Sequence, residues 1–538
     1  MRVWCCLMCL LCGIQTGWGQ NLIPHPVFFL SAPQEEYVFG DKVVIALSSD
    51  ELKNEAEELR KVIKDRTGKE AEIVRGGKIL RGAVCLKVDA AVTDEEGYEL
   101  TVNASDVCIT GKTAAGVFYG IQTFDQLLAG DGGSRLCTSV GGVTITDSPR
   151  FGYRALMLDP ARHFIPLDEV KRFIDLMARF KFNVLQLHLT DDQGWRVEIK
   201  AFPALTEKGA HRNPKGGMNG PDNGYYTQEE LKELVAYAAR KHVEIVPELD
   251  IPGHTAAAVY AYPYLGCQRS DTLPLVLGET TDRMLCAAEE GTYDFYDKVI
   301  GEVSRLFPSR RIHLGGDEAV MEKNWGVCPR CRALMKEKGF RKTDELMGWF
   351  FGRIEKSVKR NGKEMLLWCE LDNIRMPAER FLFDYPKDCT LFTWRMGLTP
   401  KTIELTARAG IKLIASPGEY CYFDYPQWKG DLPEFNNWGM PLLSLQQAYA
   451  FDPGYGLPQE KQSHIIGVAG LLWGEAMKDM NRVTYMAYPR ALALAEAGWS
   501  RMENRSWESF KSRMYPLLSD LMRKGVSFRV PFEVCGSH

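Results

Sequence analysis

From Phe151 to about Ser500 the chain alternates short apolar runs with amphipathic helical stretches, and this alternation limits the possible folds more than any other feature. A short apolar run bounded by turn signals reads as a strand buried on both faces. Strands of that kind joined by helices build a parallel sheet. The candidate strands are Ala155–Leu158, Val184–His188, Glu244–Pro247, Ile312–Leu314, Met365–Trp368, Leu391–Trp394, Lys412–Ala415 and Val468–Leu472. Eight of them predict an α/β chain with a (β/α)8 TIM-type barrel over residues 149–505. Residues 20–148 read as a smaller α/β domain, with strands at Tyr37–Phe39, Val43–Ile45, Gly97–Val102 and Val107–Thr110 and helices over Asp50–Lys64 and Thr113–Leu128. Residues 506–538 are expected to form a C-terminal helical extension packed on the barrel.

Composition narrows the function classes. Of the 538 residues 45% are hydrophobic and 25% charged, with a formal net charge of -4. No basic excess points to nucleic acid. Beyond the N-terminal leader no apolar run is long enough to predict a membrane span. In the leader, Arg2 precedes an apolar run from Val3 to Ile14, and Gly17-Trp18-Gly19 resembles a small-x-small cleavage site before Gln20. Residues 1–19 therefore read as a signal peptide, which predicts export to the periplasm or the extracellular space. Bulky Met8 and Leu11 ahead of Cys9 and Cys12 rank a soluble protein above a lipoprotein. Eleven of the 15 cysteines follow the leader, an odd number that leaves at least one unpaired within the chain. Cys328-Pro329-Arg330-Cys331 has no second pair at zinc-ribbon spacing, which favours a local disulfide or plain thiols over a metal site.

In a barrel of this kind chemistry gathers where the strands end. After the first strand stand Asp159, Arg162 and His163, and after the second Asp191-Asp192-Gln193-Gly194-Trp195. The third leads into Glu248, Asp250 and His254, and the fourth delivers Gly315-Gly316-Asp317-Glu318. Trp368, Glu370 and Trp394 follow the fifth and sixth. The seventh opens a loop carrying Tyr420, Tyr422 and Asp424, and the eighth ends at Trp473 and Glu475. Singly, a tryptophan at a strand end is usually core, and a histidine such as His254 usually structural. Carboxylates and tryptophans at most strand ends of one barrel are costly to explain as packing, because buried charge needs a polar partner. Aromatic walls with hydroxyl-binding carboxylates suit a sugar.

The motifs Leu158-Asp159-Pro160-Ala161-Arg162-His163-Phe164, His188-Leu189-Thr190-Asp191-Asp192-Gln193-Gly194-Trp195-Arg196, Pro247-Glu248-Leu249-Asp250-Ile251-Pro252-Gly253-His254 and His313-Leu314-Gly315-Gly316-Asp317-Glu318 together resemble glycoside hydrolase family twenty, the β-N-acetylhexosaminidases. The resemblance covers about Tyr153 to Ser500, and the preceding domain resembles the α/β domain that family carries. It implies an exo-acting enzyme that releases terminal N-acetylglucosamine or N-acetylgalactosamine. By the same resemblance Glu318 matches the general acid/base and Asp317 the carboxylate that holds the 2-acetamido N–H. Tyr422, or its neighbour Tyr420, matches the tyrosine on the acetamido oxygen. Arg162 and Glu475 match groups gripping hydroxyls at the far end of the terminal sugar, and Asp424 is a weaker match for the same work. Trp368, Trp394 and Trp473 match the aromatic walls. Asp191 and His254, counted with the sugar-binding set, match residues behind Glu318 that tune it. The implied partners are N-acetylhexosamine-terminated glycans, with no cofactor and no metal.

The residues themselves agree with that chemistry. Ordinary retaining glycosidases hold two carboxylates about 5–5.5 Å apart across the scissile bond, and adjacent residues diverging from one strand are poorly placed for it. Hydrolysis in which the substrate's acetamido group is the nucleophile needs one acid and one group to orient the amide, and Asp317-Glu318 supplies such a pair. A chitinase-like barrel would space its acidic residues alternately. A metal-dependent barrel hydrolase using His188, His254 and His313 would be expected to end its first strand in a His-x-His pair, which is absent here. Retention of both carboxylates argues against an inactive sugar-binding module.

Overall fold

The computed structural model describes residues 21–76, 82–130, 132, 135–212, 222–267, 283–370, 385–431 and 439–531. The proposed signal peptide lies outside these residues. Eight parallel strands form the barrel: β1 (Tyr153–Leu158), β2 (Val184–Asp191), β3 (Glu244–Leu249), β4 (Arg311–His313), β5 (Glu364–Trp368), β6 (Thr390–Thr393), β7 (Lys412–Ala415) and β8 (Ile465–Leu472). They run in sequence order around the sheet, and β1 closes it by pairing with β8 on one side and β2 on the other. Every residue of β1 and β2 is buried, as parallel strands covered on both faces are; β1 is apolar but for Arg154, while β2 alternates apolar residues with Gln186, His188 and Thr190. Among the described residues no helix is long and apolar enough to cross a membrane.

The N-terminal domain is a seven-stranded mixed sheet among the described residues, with helices Lys53–Thr67 and Ala114–Ala129 packed together against it. Three of its strands, Glu70–Arg75, Ala83–Val88 and Ser139–Asp147, escape the sequence reading. Glu70–Arg75 is a half-exposed edge strand carrying two glutamates, and Ser139–Asp147 contains Gly141-Gly142; both features weaken a strand signal.

Buried ion pairs lock this domain to the barrel. Lys181, just before β2, places Nζ 2.9 Å from Asp147 and donates to the Tyr98 hydroxyl at the same distance. Arg154 on β1 pairs with Glu96 at 2.7 Å. Arg66 reaches Asp125 at 2.6 Å and Asp520 at 2.7 Å, and Arg179 pairs with the same two aspartates. Asp520 lies on the C-terminal helix Trp507–Arg523, so that helix bridges the small domain and the barrel. Removing one member of such a pair strands a buried charge at a cost of about 3–5 kcal/mol.

Of the two forms the sequence allowed for Cys328 and Cys331, a local disulfide or plain thiols, the structure has the unbridged one. The second pair that local spacing lacks comes from the loop after β3, where Cys267 and Cys286 lie against them with all four sulfurs within 4.8 Å of one another.

Candidate active site

Glu248, near the end of β3, stands in register with His188 on β2 and His313 on β4, so the three side chains occupy one layer at the barrel's C-terminal end. His188 Nδ1 lies 3.0 Å from one carboxylate oxygen and His313 Nδ1 3.1 Å from the other. Gln186 donates to Glu248 at 2.7 Å, and the Trp368 indole N–H donates to it at 2.8 Å. Burial alone would neutralise Glu248, but His313 and His188 outweigh it and hold the carboxylate well below its usual range. Against the same burial, Glu248 and Asp191 hold His188 well above the usual imidazole range.

A second tier rests on this one. Asp191 is 2.8 Å from His188 Nε2, 2.9 Å from Arg162 and 3.3 Å from His254 Nδ1. Burial opposes a charge on His254, yet Asp191 and Asp317 raise its pKa well above the ordinary value. Its other nitrogen faces both carboxylates of the β4 turn, 3.6 Å from Asp317 and 3.7 Å from Glu318. Asp191 and His254 thus stand behind Asp317 and Glu318, one supporting the other.

The β4 turn needs its glycines. Gly315 and Gly316 have φ of 61° and 99°, and Glu318 itself is left-handed at 47°. A Cβ on Gly315 would meet Asp250 Oδ1 at 1.7 Å, and that oxygen accepts the Gly316 N–H at 3.2 Å. Left-handed backbone at a non-glycine residue is strained, and it persists where its surroundings over-determine it. Here the Glu318 N–H is tied to Glu370 at 3.2 Å. The turn makes adjacent residues unequal: the Asp317 side chain is 11% exposed and the Glu318 side chain 42%. Burial and the nearby Asp317 push Glu370 up to about 7 although Arg395 pairs with it at 2.9 Å. Burial and Asp317 likewise raise Asp250 well above the ordinary value.

On the opposite wall, Asp159 fixes Arg162 by accepting its backbone N–H at 3.1 Å and its guanidinium at 3.0 Å, while also accepting the Gly474 N–H at 2.8 Å. Arg162 therefore lies over the Trp473 ring, 5.1 Å from its centroid, with Glu475 4.0 Å away. Trp473 is 5.7 Å from Trp368. Tyr422 is buried and feels the charge of Asp317. Tyr420 instead stacks on Phe451 at 5.4 Å, with Tyr455 beside it, which separates the two tyrosines the sequence left open. Asp424 is buried beside Glu475; burial and this like charge raise it well above the usual carboxylate range. Trp394 completes the wall under Arg395, whose guanidinium sits 4.0 Å from the ring centroid.

Four buried polar atoms of this wall have no hydrogen-bond partner among the described residues: Asp317 Oδ1, Trp394 Nε1, Asp424 Oδ1 and Glu475 Oε2. Buried polar groups are nearly always satisfied, so a ligand rich in hydroxyl and amide groups fits here. Beside the turn a groove of about 960 Å3 runs from Ala319 past Lys323 and Arg332 to Phe340. Asp191, Asp192 and His254, or Asp250, His254 and Asp317, approach closely enough to surround a cation, but Asp191 and His254 are already bound to each other. Gln193, which accepts from Arg162 Nε at 3.0 Å, and Arg395 escaped the sequence reading. Glu248 was visible only as a strand end. Strand register would have placed His188 beside it, since both motifs end neighbouring parallel strands.

Comparison with known proteins bears on this geometry directly. Residues 151–502 match the profile "Glycosyl hydrolase family 20, catalytic domain", and residues 19–148 match "Glycosyl hydrolase family 20, domain 2". A beta-hexosaminidase of Akkermansia muciniphila is 39% identical over 427 residues, covering 78% of this chain and 83% of that protein. One from Porphyromonas gingivalis is 33% identical, covering 98% and 68%. Among solved structures, a mutant Streptomyces plicatus beta-hexosaminidase in complex with product (GlcNAc) superposes with a TM-score of 0.81 at 30% identity, covering 96% of this chain and 98% of that one.

Proposed function

The chain belongs to glycosyl hydrolase family 20 and is a glycoside hydrolase, and from that premise we propose that it removes terminal N-acetylhexosamine from glycan ends by retaining, substrate-assisted hydrolysis. The observation that carries this reading is the inequality of Asp317 and Glu318 on one turn. The more exposed Glu318 is placed to protonate the glycosidic oxygen beside the open groove and later to activate water. The buried Asp317 has an unpartnered oxygen for the acetamido N–H. Tyr422, within its field, holds the acetamido oxygen. That oxygen then attacks the anomeric carbon, the leaving group takes the Glu318 proton, and an oxazolinium ion forms. Asp317 stabilises its positive charge in a site where water is largely excluded. Water opens the ring as Glu318 takes its proton back, which regenerates the starting configuration.

At the closed end, Arg162, Glu475 and Asp424 bind the remaining hydroxyls, and the tryptophans enclose the ring and the acetamido methyl. GlcNAc in the Streptomyces plicatus complex supports the gluco sugar as substrate; the galacto epimer is part of the proposal. A panel of aryl glycosides varying the 2-substituent and the C4 configuration tests the reading. The acetamido compounds should be cleaved with retention and the plain glucoside left essentially intact. Comparable turnover of the glucoside would sink the mechanism.

A further inference from the structure

Four cysteines remote in sequence, Cys267, Cys286, Cys328 and Cys331, bring their sulfurs together at the mouth of the barrel, and we propose that they hold one zinc ion as a structural site. The Sγ atoms of Cys286 and Cys331 are 3.6 Å apart and those of Cys267 and Cys331 3.8 Å, with every pair inside 4.8 Å. Four thiolates about 2.3 Å from a tetrahedral zinc stand about 3.8 Å from each other. A disulfide would bring two of them to about 2.05 Å, and here none of the four is bridged.

The backbone builds the site from two sides. An antiparallel bridge between Gly266 and Leu285, with the Cys286 N–H bonded to the Leu265 carbonyl at 2.7 Å, sets Cys267 next to Cys286. Cys328 caps the helix Pro329–Lys338 and Cys331 lies in its first turn, where the helix N-terminus favours thiolate over thiol. The Ala288 backbone N–H favours the thiolate form of both Cys286 and Cys331. Arg330, paired with Glu289, faces the sulfurs of Cys286 and Cys328, which offsets part of the double negative charge of a zinc bound by four thiolates. Three of the cysteines are buried. Soft thiolates in a tetrahedral set select zinc over the hard cations.

On binding, four S–H bonds give way to four Zn–S bonds and up to four protons leave. The ion would tie the loop after β3, which carries His254, to the segment that follows Asp317-Glu318. The Trp325 indole, bonded to the Leu285 carbonyl at 2.8 Å, lies along the same seam. The site is thus a clamp on the geometry of the turn, with no part in bond cleavage.

Elemental analysis of the full chain, purified without chelator, should find about one zinc per chain. Four thiols should resist a thiol reagent until the zinc is displaced. Cys328→Ser with Cys331→Ser should abolish the bound zinc and lower the unfolding midpoint. Should that variant fail to fold, cobalt exchanged into the wild type decides the matter: the visible bands of tetrahedral cobalt thiolate are expected. No zinc after dialysis against it, no such cobalt spectrum, or peptide mapping that finds these four cysteines joined as disulfides would overturn the proposal.

Discussion

The pocket has a floor and a wall made from the same kinds of residue, and their carboxylates differ in how fully the protein itself matches them. In the floor, Glu248 accepts from Gln186 and Trp368 and pairs with His188 and His313, and Asp191 pairs with Arg162, His188 and His254. Each of these carboxylates is matched by several donors of the protein itself. In the wall, Asp317, Asp424, Glu475 and Trp394 each keep a buried atom with no partner among the described residues. Identical chemistry therefore serves two purposes. A carboxylate matched on every side positions its neighbours, whereas one left partly unmatched is made for something that arrives.

The largest effect expected from this contrast is at the turn between the two tiers. Glu318→Gln should lower kcat/KM on a natural oligosaccharide by about 10²–10⁴-fold, the usual worth of a general acid, with an unchanged unfolding midpoint. A loss of stability in place of activity would move Glu318 into the floor. Next comes the floor itself: Glu248→Ala strands His188 and His313 and should cost about 3–5 kcal/mol of stability in a denaturant titration. A folded, normally stable variant would erase the distinction between the tiers. In the wall, Glu475→Gln should leave the unfolding midpoint nearly unchanged and reduce kcat/KM by an amount equivalent to about 1.5–3 kcal/mol, the range for a hydrogen bond to a charged group. Glu370 shows itself as a pH slope. Its folded pKa of about 7 lies above the ordinary 4.5, so in that window the folded state keeps a proton that the unfolded chain has released. Stability should fall as pH rises from about 4.5 to 7, by at most about 1.4 kcal/mol per pH unit. Glu370→Gln should make that slope shallower, leaving the share of Asp250 and Asp424, which are raised as well; an unchanged slope would assign it to other groups alone.

The barrel was legible because its strands are short, rich in apolar residues and separated by amphipathic helical stretches. The edge strand Glu70–Arg75 was not, because half of its surface meets water and its pattern resembles a loop. Among the site residues, Asp317 and Glu318 announce themselves by standing after two glycines at a strand end. The role of Glu248 was hidden, since it depends on the register of β2, β3 and β4 and not on its neighbours in sequence. Tyr420 and Tyr422 flank one turn and differ only in which way the chain bends. The second cysteine pair was hidden for the same reason: Cys267 and Cys286 become neighbours through a bridge between loop segments that carry no strand signal.

The division of labour between Asp317 and Glu318 is tested most directly by the dependence of kcat/KM on leaving-group pKa for aryl N-acetylglucosaminides. Glu318→Gln should steepen that dependence, because a good leaving group needs no proton and a poor one cannot depart without it. Asp317→Asn should run nearly parallel to the wild type but lower, since the amide must be oriented and the oxazolinium stabilised whatever group leaves. Slopes that came out the other way round would contradict the assignment of both residues.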